Sequence, residues 1–309
     1  IKFDFLGLKT LTVIDNALKL IKSRYNTEIN FNTLDVNDPK VYELIQSGDT
    51  VGLFQIESSG MQSLNERLKP TTFEDLIAVL ALYRPGPMES GMLDDFIDRK
   101  NGRKEIKYFF DEFTEPLKPI LEPTYGVIVY QEQVMQIVQS IGGFSLGEAD
   151  LIRRAMGKKK IDYMKQKAEE FAEGAVKQGL DKDHAIELFG LIEKFAGYGF
   201  NKSHSAAYAM VTFQTAYLKC YYPQEFMAAL LTSEQDNTDK IVKYIDEAKR
   251  LGIKLLPPSI QHSLIEFSAI TDSDGEEAIL FGMGAIKGVG NAAISKILEA
   301  RAEAPFADI

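Results

Sequence analysis

The sequence has a single cysteine, Cys220, among 309 residues, and it has no tryptophan. One cysteine excludes an internal disulfide and any cluster of thiolates around a metal ion. Only three histidines occur, and no two of them have metal-ligand spacing, which argues against a metalloprotease. No apolar run approaches the roughly 20 residues of a membrane span. We therefore expect a soluble, cytoplasmic protein without membrane contact.

Positive charge is also scarce, because 35 Lys and Arg face 45 Asp and Glu, for a net charge of -10. This balance excludes a polycation that coats nucleic acid, so any anion-binding site must be a local patch. Walker-type and dinucleotide-binding glycine loops are absent, as is a nucleophile elbow. A self-contained phosphotransferase and a serine hydrolase are therefore disfavoured.

Apolar residues recur at helical spacing along most of the chain, whereas strand-like alternation is confined to short stretches. Helices are predicted over residues 10–24, 39–46, 72–83, 90–100, 131–141, 161–178, 182–195, 203–221, 223–233 and 238–251. One further helix is predicted to begin at residue 145. Strands are predicted over residues 1–8, 127–130, 264–270 and 279–282. We expect a mainly α fold with short β-strands, an α+β protein, with a domain junction near residues 255–260.

Several predicted helices begin at residues whose side chains accept hydrogen bonds from first-turn N–H groups. Thr10, Thr72 and Asp38 are the expected caps, the last of them ahead of a proline at the first helical position. Ser145 and Glu148 have the spacing of a capping box.

The segment LIRRAMGKKK, residues 151–160, carries five positive charges and no acid. These are Arg153, Arg154, Lys158, Lys159 and Lys160. Guanidinium forks and ammonium groups suit phosphate oxygens. The alternative is a solvated face paired with acidic residues of neighbouring helices. We favour phosphate binding, because two adjacent arginines cannot both face the same solvent, and Ala155 and Met156 indicate partial burial.

The segment GYGFNKSHSAAY, residues 197–208, places polar groups at a predicted helix start. They are Asn201, Lys202, Ser203 and His204. A helix N-terminus with a lysine and hydroxyl groups is a natural anion site. Capping by Ser203 is the plainer alternative, but it leaves the lysine, the histidine and the glycine-spaced aromatics unexplained.

Further candidates carry weaker signals. Asp4 is either a metal-binding carboxylate on a strand or a surface acid paired with a lysine. Arg84 precedes Pro-Gly-Pro, which forces a turn of fixed shape. Contact with bases or simple packing is open for four residues, Tyr125, Tyr130, Gln131 and Gln133.

A glycine turn near the C-terminus, Lys287, Gly288, Val289 and Gly290, stands between an apolar lead and a helix. In a helix-hairpin-helix such turn amides approach a DNA phosphate irrespective of base sequence. A plain glycine turn is the alternative.

Eight segments in order along the chain resemble the C-family of replicative bacterial DNA polymerases. They are KFDFLGL, VGLFQIES, ALYRPGPMESGM, LEPTYGVIVYQEQVMQI, LIRRAMGKKK, EKFAGYGFNKSHSAAYA, YYPQEFMAALL and GAIKGVG. The resemblance implies that residues 1–8 end the palm, residues 9–257 form helical fingers, and residues 258–309 hold a strand-containing segment and the helix-hairpin-helix.

The same resemblance implies the site. Asp4 would be one of three carboxylates that bind two Mg²⁺ ions, and Lys2 would face the incoming triphosphate. Arg153 and Arg154 would meet nucleotide phosphates, whereas residues 201–204 would line the nucleotide pocket. DNA contacts are expected from Arg84, Lys158, Lys159, Lys160, Lys287, Gly288 and Gly290.

The implied activity is template-directed DNA synthesis from dNTPs on primer-template DNA, with the sliding clamp and other replisome subunits bound mostly through regions elsewhere. The family's other two carboxylates lie in an upstream Asp-x-Asp strand motif that we expect this sequence to lack. We therefore expect a fragment that is inactive alone. The rival interpretation is a non-catalytic DNA-binding scaffold.

Overall fold

The computed structural model describes residues 7–157, 161–196 and 198–307. Most of them are helical, and one small sheet is present, which confirms the mainly α, α+β fold class. The chain forms two compact units. Unit one contains the residues up to Gln62 together with those from Met210 onward, and unit two is Ser63–Ala209. None of the described helices is long and apolar enough to cross a membrane.

The helices of the described residues are α1 (Lys9–Tyr25), α2 (Pro39–Gln46), α3 (Ser59–Leu68), α4 (Phe73–Leu82), α5 (Pro85–Glu89), α6 (Met92–Lys100), α7 (Thr114–Leu121), α8 (Gln131–Gly142), α9 (Leu146–Gly157), α10 (Ile161–Lys177), α11 (Lys182–Ala196), α12 (Lys202–Tyr221), α13 (Pro223–Ser233), α14 (Thr238–Arg250) and α15 (Asn291–Glu303). The strands are β1 (Lys254–Leu256), β2 (Ser268–Thr271) and β3 (Glu277–Leu280).

Unit one is organised around α13, most of whose residues are buried. Helix α1 packs along it, and the sheet covers it with strand order β1-β3-β2. Strand β3 runs parallel to β1 and antiparallel to β2. Arg24 of α1 forms ion pairs with both Glu225 of α13 and Glu277 of β3, so one guanidinium connects the two helices to the sheet.

Unit two has a helical core to which α7, α8, α9, α10 and α11 contribute. Its largest fully buried side chains include Phe113, Phe171 and Phe189. Burial of a large apolar side chain stabilises the fold by about 1.5–3 kcal/mol. This core supports the N-terminal end of α8 and the length of α9, where the candidate site lies.

One predicted strand and one predicted helix cap are wrong. Residues 127–130 form no strand, because their backbone pairs only at the isolated bridge of Tyr130 with Phe200. Thr10 does not cap α1, since the helix already begins at Lys9 after Leu8. The strand expected over residues 1–8 lies outside the described residues except for its last two positions.

Three predicted helix starts are confirmed. Asp38 accepts from the Lys40 N–H, Thr72 forms a capping box with Asp75, and Ser145 forms one with Glu148. Helix α3, the proline-containing α7 and strand β1 were missed, because short or proline-bearing segments have weak periodicity.

Candidate functional site

A loop before α12 lies against the segment that leads into α8, within unit two. The Phe200 N–H donates to the Val129 carbonyl at 3.1 Å, and the Gln131 N–H donates to the Phe200 carbonyl at 2.9 Å. This pair of bonds fixes the start of α12 beside the start of α8. The side chains of the candidate site gather around this junction.

Arg84 holds the loop from the side of the Pro-Gly-Pro turn. Its Nη2 donates to the Tyr198 carbonyl at 2.8 Å, and its guanidinium carbon lies 4.5 Å from the centre of the Phe200 ring. Burial lowers the pKa of Arg84. A Cβ at Gly86 would lie 2.3 Å from Cδ1 of Tyr198, so any other residue there would displace the Tyr198 ring. The predicted turn is the start of α5.

Arg153 and Arg154 lie on α9 and share one carboxylate. Asp150 Oδ1 accepts from Arg153 Nη2 at 2.7 Å, and Oδ2 lies 2.7 Å from Arg154 Nη2. Hydrogen bonding to Arg153 holds the pKa of the Asp150 carboxyl below its usual value. Arg153 Nη1 also donates to Gln131 Oε1 at 3.0 Å, which connects α9 to the junction.

Asn201, rather than the expected Ser203, caps helix α12. Its side-chain oxygen accepts from the His204 N–H at 2.8 Å. Its amide donates to Glu132 at 2.9 Å, and the other oxygen of Glu132 accepts from the Lys202 N–H at 3.0 Å. A carboxylate of the chain therefore lies at the positive end of this helix.

Lys202 points its ammonium group toward Glu74 of α4, at 2.9 Å from Oε2. The same group lies 5.3 Å from the centre of the Tyr130 ring. Burial raises the pKa of Tyr130, so this phenol stays neutral. The lysine is thus held by a carboxylate and an aromatic face.

His204 is exposed and belongs to a row of rings on one side of α12. Its ring centre is 5.5 Å from that of Phe200 and 4.3 Å from that of Tyr208. His204 and Tyr208 are four apart on α12 and so share a helix face, and Phe200 extends the row from the loop before the helix. The row presents imidazole and aromatic surface to solvent beside the junction.

A buried hydrogen-bond network supports the segment before α8. Gln133 accepts from the Val129 and Tyr130 N–H groups and donates to Thr124 Oγ1 at 2.7 Å. The Tyr125 hydroxyl donates to Asp75 at 2.8 Å, and burial raises its pKa. Tyr125, Tyr130 and Gln133 therefore pack and hydrogen-bond within the unit, which is the second of the two interpretations left open.

The structure thus brings together five of the predicted site residues, Arg84, Arg153, Asn201, Lys202 and His204, with Arg154 and Ser203 beside them. It also reveals three acids that the sequence analysis missed, Glu74, Glu132 and Asp150. Asp150 lies three and four positions before the arginines, the spacing of a helical ion pair, and that signal was available. Glu74 and Glu132 are distant in sequence from the lysine and asparagine they contact.

The glycine turn near the C-terminus belongs to unit one. Gly288 has a φ of +89°, a conformation that favours glycine. Gly290 precedes α15, whose Ile294 is fully buried, and Lys287 is exposed. The turn thus places one exposed cation, Lys287, just before the start of α15.

Five predicted site residues lie outside the described residues. They are Lys2, Asp4, Lys158, Lys159 and Lys160. Among the residues that the structure does describe, no group of three or more acidic, histidine or cysteine side chains could hold a metal ion.

Two Asp-x-Asp triplets do occur, contrary to the expectation from sequence, but neither forms a carboxylate pair on a strand. Asp181 caps α11 by accepting from the Asp183 and His184 N–H groups. Asp272 lies in the turn after β2, where it pairs with Lys254. Both triplets have structural roles.

Comparison with known proteins gives two matches to protein families. Residues 10–179 match the bacterial DNA polymerase III alpha subunit finger domain, and residues 252–309 match a helix-hairpin-helix motif.

Individual relatives match 97% to 100% of the chain. DNA polymerase III subunit alpha of Campylobacter jejuni is 69% identical over 309 residues, which is 100% of this chain and 25% of that protein. The Helicobacter pylori J99 protein of the same name is 60% identical over 310 residues, 99% of this chain and 25% of its own length. The Escherichia coli K12 protein of the same name is 53% identical over 306 residues, which is 97% of this chain and 26% of that protein. The chain spans about a quarter of the length of these relatives.

Proposed function

Because the chain belongs to the bacterial DNA polymerase III alpha subunit family, we propose that it positions the incoming nucleotide and grips DNA during template-directed synthesis. The single observation that supports this most is the convergence of Arg84, Arg153, Lys202 and His204 on one loop junction. Three cations and an imidazole meet there in a chain of net charge -10. Such a local concentration of donors suits a polyphosphate.

In this proposal the nucleotide phosphates bind Arg153 and Arg154. Gln131 holds Arg153 at 3.0 Å and so fixes the direction of its guanidinium fork. The Lys202 ammonium group supplies a further donor, with Asn201 and Ser203 at the pocket wall. These groups neutralise charge and orient the nucleotide; they form no covalent bond to it.

The proposed reaction is attack of the primer 3′-hydroxyl on the nucleotide α-phosphorus, with release of pyrophosphate. Two Mg²⁺ ions, when bound, would stabilise negative charge on the attacking and leaving oxygens. Asp4 is the proposed ligand in this chain, and Lys2 is proposed to face the triphosphate. We expect the segment alone to be inactive, because the resemblance assigns the other two carboxylates to a motif elsewhere.

The domain assignment is part of the proposal. Residues 1–8 would end the palm, residues 9–257 would be fingers, and residues 258–309 would contain the helix-hairpin-helix. Primer-template DNA would contact Arg84, the lysines 158–160 and the glycine turn at Lys287, Gly288 and Gly290. The sliding clamp and other replisome partners would bind mostly through other regions of the full-length protein. The proposed location is the cytoplasm.

The first test is binding of labelled primer-template DNA across a salt series, with and without the matching dNTP and Mg²⁺. The Arg153→Ala/Arg154→Ala variant should lose the strengthening that dNTP gives to DNA binding. Log affinity should also fall less steeply with log salt if either arginine contacts a DNA phosphate. Wild-type dNTP dependence in the variant would contradict the assignment of these arginines.

A second candidate is a DNA-binding scaffold without a nucleotide pocket, favoured by the helix-hairpin-helix match over residues 252–309. It predicts salt-sensitive DNA binding that is unaffected by dNTP in the wild type. The same titration therefore separates the two functions.

A further inference from the structure

Three of the cations predicted to bind phosphate, Arg153, Arg154 and Lys202, are paired with carboxylates of their own unit, whereas Arg84 donates to a backbone carbonyl. Asp150 bridges Arg153 and Arg154, and Glu74 lies 2.9 Å from the Lys202 ammonium group. The first N–H of α12 is likewise bonded to Glu132. Arg153, Arg154 and Lys202 are therefore charge-compensated in the structure.

The Asp150 pairing has the geometry of a bridging oxyanion. Each of its two oxygens lies 2.7 Å from a terminal nitrogen of a different arginine. A phosphate group that bound both guanidinium groups would place two of its oxygens in the same way. The carboxylate and such a phosphate would compete for the same donors.

The bridge is reachable from solvent. The side chain of Asp150 is 29% exposed, that of Arg153 is 27% exposed, and that of Arg154 is 63% exposed. Arg153 uses Nη1 for its bond to Gln131 and Nη2 for Asp150, so a ligand that displaced Asp150 would not compete for the nitrogen that Gln131 holds. Exchange of carboxylate for phosphate would therefore leave Arg153 in place.

Building on the proposed function, we propose that Asp150 is a positioning residue that holds Arg153 and Arg154 together without a ligand and competes with phosphate for them. The carboxylate prevents two adjacent guanidinium groups from repelling one another. It also lowers the affinity for weakly charged oxyanions, because a ligand must replace an existing ion pair. A triphosphate, with more charge and more oxygens, overcomes this competition better than a monophosphate does.

The test compares binding of inorganic tripolyphosphate and inorganic phosphate to the full-length protein by isothermal titration calorimetry. Asp150→Asn keeps the side-chain size and removes the charge. The variant should bind tripolyphosphate about threefold to tenfold more tightly, with a larger gain for phosphate, so that selectivity falls. Glu105→Gln is the matched control, since it makes the same charge change on a side chain that is 78% exposed in a loop.

The gain should disappear when Asp150→Asn is combined with Arg153→Ala/Arg154→Ala. Unchanged or weaker tripolyphosphate binding by Asp150→Asn, while the arginine variant binds less, would overturn the competition and leave the proposed function standing. Unchanged binding by the arginine variant would overturn both. If circular dichroism shows that Asp150→Asn has lost helical structure, Asp150→Ser provides the same comparison with a shorter neutral side chain.

Discussion

At the scale of single residues, His204 offers the most specific chemistry in the cluster. Its ring is exposed between Phe200 and Tyr208, at centre distances of 5.5 and 4.3 Å, and the cap at Asn201 fixes its backbone. A ring held in this way offers a steric surface of fixed position, which we call a wall. Beside a bound nucleotide, such a wall would discriminate by shape at the sugar.

We predict that His204→Ala weakens discrimination between deoxyribonucleotides and ribonucleotides in the full-length polymerase. Losing a steric contact of this size costs about 1–3 kcal/mol, so the ratio of kcat/KM values should fall about tenfold or more. Single-nucleotide incorporation with dNTP and rNTP measures the ratio. An unchanged ratio would remove His204 from the sugar pocket, and His204→Phe, which retains a ring, is the matched variant.

Glu132 illustrates how a residue far away in sequence completes a helix start. Its two oxygens accept from the Asn201 side chain and the Lys202 N–H. We predict that Glu132→Ala destabilises the first turn of α12 by about 1 kcal/mol, because a negative charge at a helix N-terminus is lost. Amide hydrogen exchange at Lys202 should accelerate about fivefold, whereas exchange in α14 should not change.

At the scale of elements, a buried ion pair connects α12, α14 and the loop after α2 in unit one. The Lys219 ammonium group donates to the Asp49 and Val51 carbonyls, at 2.8 Å each, and to Glu247 at 2.6 Å. Burial lowers the pKa of Lys219, but three acceptors surround it. One buried cation thus satisfies two backbone carbonyls and a carboxylate.

We predict that Lys219→Met lowers the free energy of unfolding by about 1–3 kcal/mol, because two backbone carbonyls lose this donor and Glu247 keeps only its ion pair with Arg250. Urea unfolding followed by circular dichroism measures the loss. Lys219→Met/Glu247→Met should recover little of it, since Arg250 still pairs with Glu247 in the single variant and that carboxylate is not left without a cation. A loss below about 1 kcal/mol would show that water reaches the site.

A pH-dependent contact joins α11 to the segment before α7. His184 stacks on Phe110 with ring centres 4.1 Å apart, and its Nδ1 lies 2.9 Å from Glu112 Oε1. The hydrogen bond to Glu112 raises the pKa of His184. Its contribution to stability is therefore complete below about pH 6.5, the unfolded pKa, and is lost as the pH rises through the higher folded pKa.

We predict that the wild-type Tm falls between about pH 6 and pH 8 relative to that of His184→Gln. The glutamine keeps a hydrogen-bonding side chain but cannot titrate. Differential scanning calorimetry at matched ionic strength measures both slopes. Parallel curves would show that Glu112 does not perturb this histidine.

At the scale of the whole molecule, the sequence predicted what local patterning controls. Most long helices, the α+β class and several caps are correct, because periodicity and first-turn side chains are local signals. The segment at 127–130 was apolar and β-branched enough to resemble a strand, yet its only pairing is with Phe200. Its conformation depends on residues about 70 positions away, which a local window does not contain.

The candidate site was predictable in its cations and unpredictable in their partners. Arg153, Arg154 and Lys202 were visible as charge in an acidic chain and by resemblance to the family. Glu74 and Glu132 become relevant only when the chain brings α4 and α8 beside the start of α12. Asp150 lay just outside the basic segment, so a count limited to residues 151–160 overlooked it.

The two compact units carry separate candidate contacts with nucleic acid, so their mutations should give different signatures. Lys287→Ala, in the glycine turn of unit one, should reduce the slope of log affinity against log salt by about 1 for DNA of any base sequence. It should do so equally with and without dNTP, because the proposed contact is to the DNA backbone. Fluorescence anisotropy across a salt series measures this, with the exposed Lys104 changed to Ala as the control. A Lys287 effect that appeared only with dNTP would assign this lysine to nucleotide binding and contradict a division of tasks between the units.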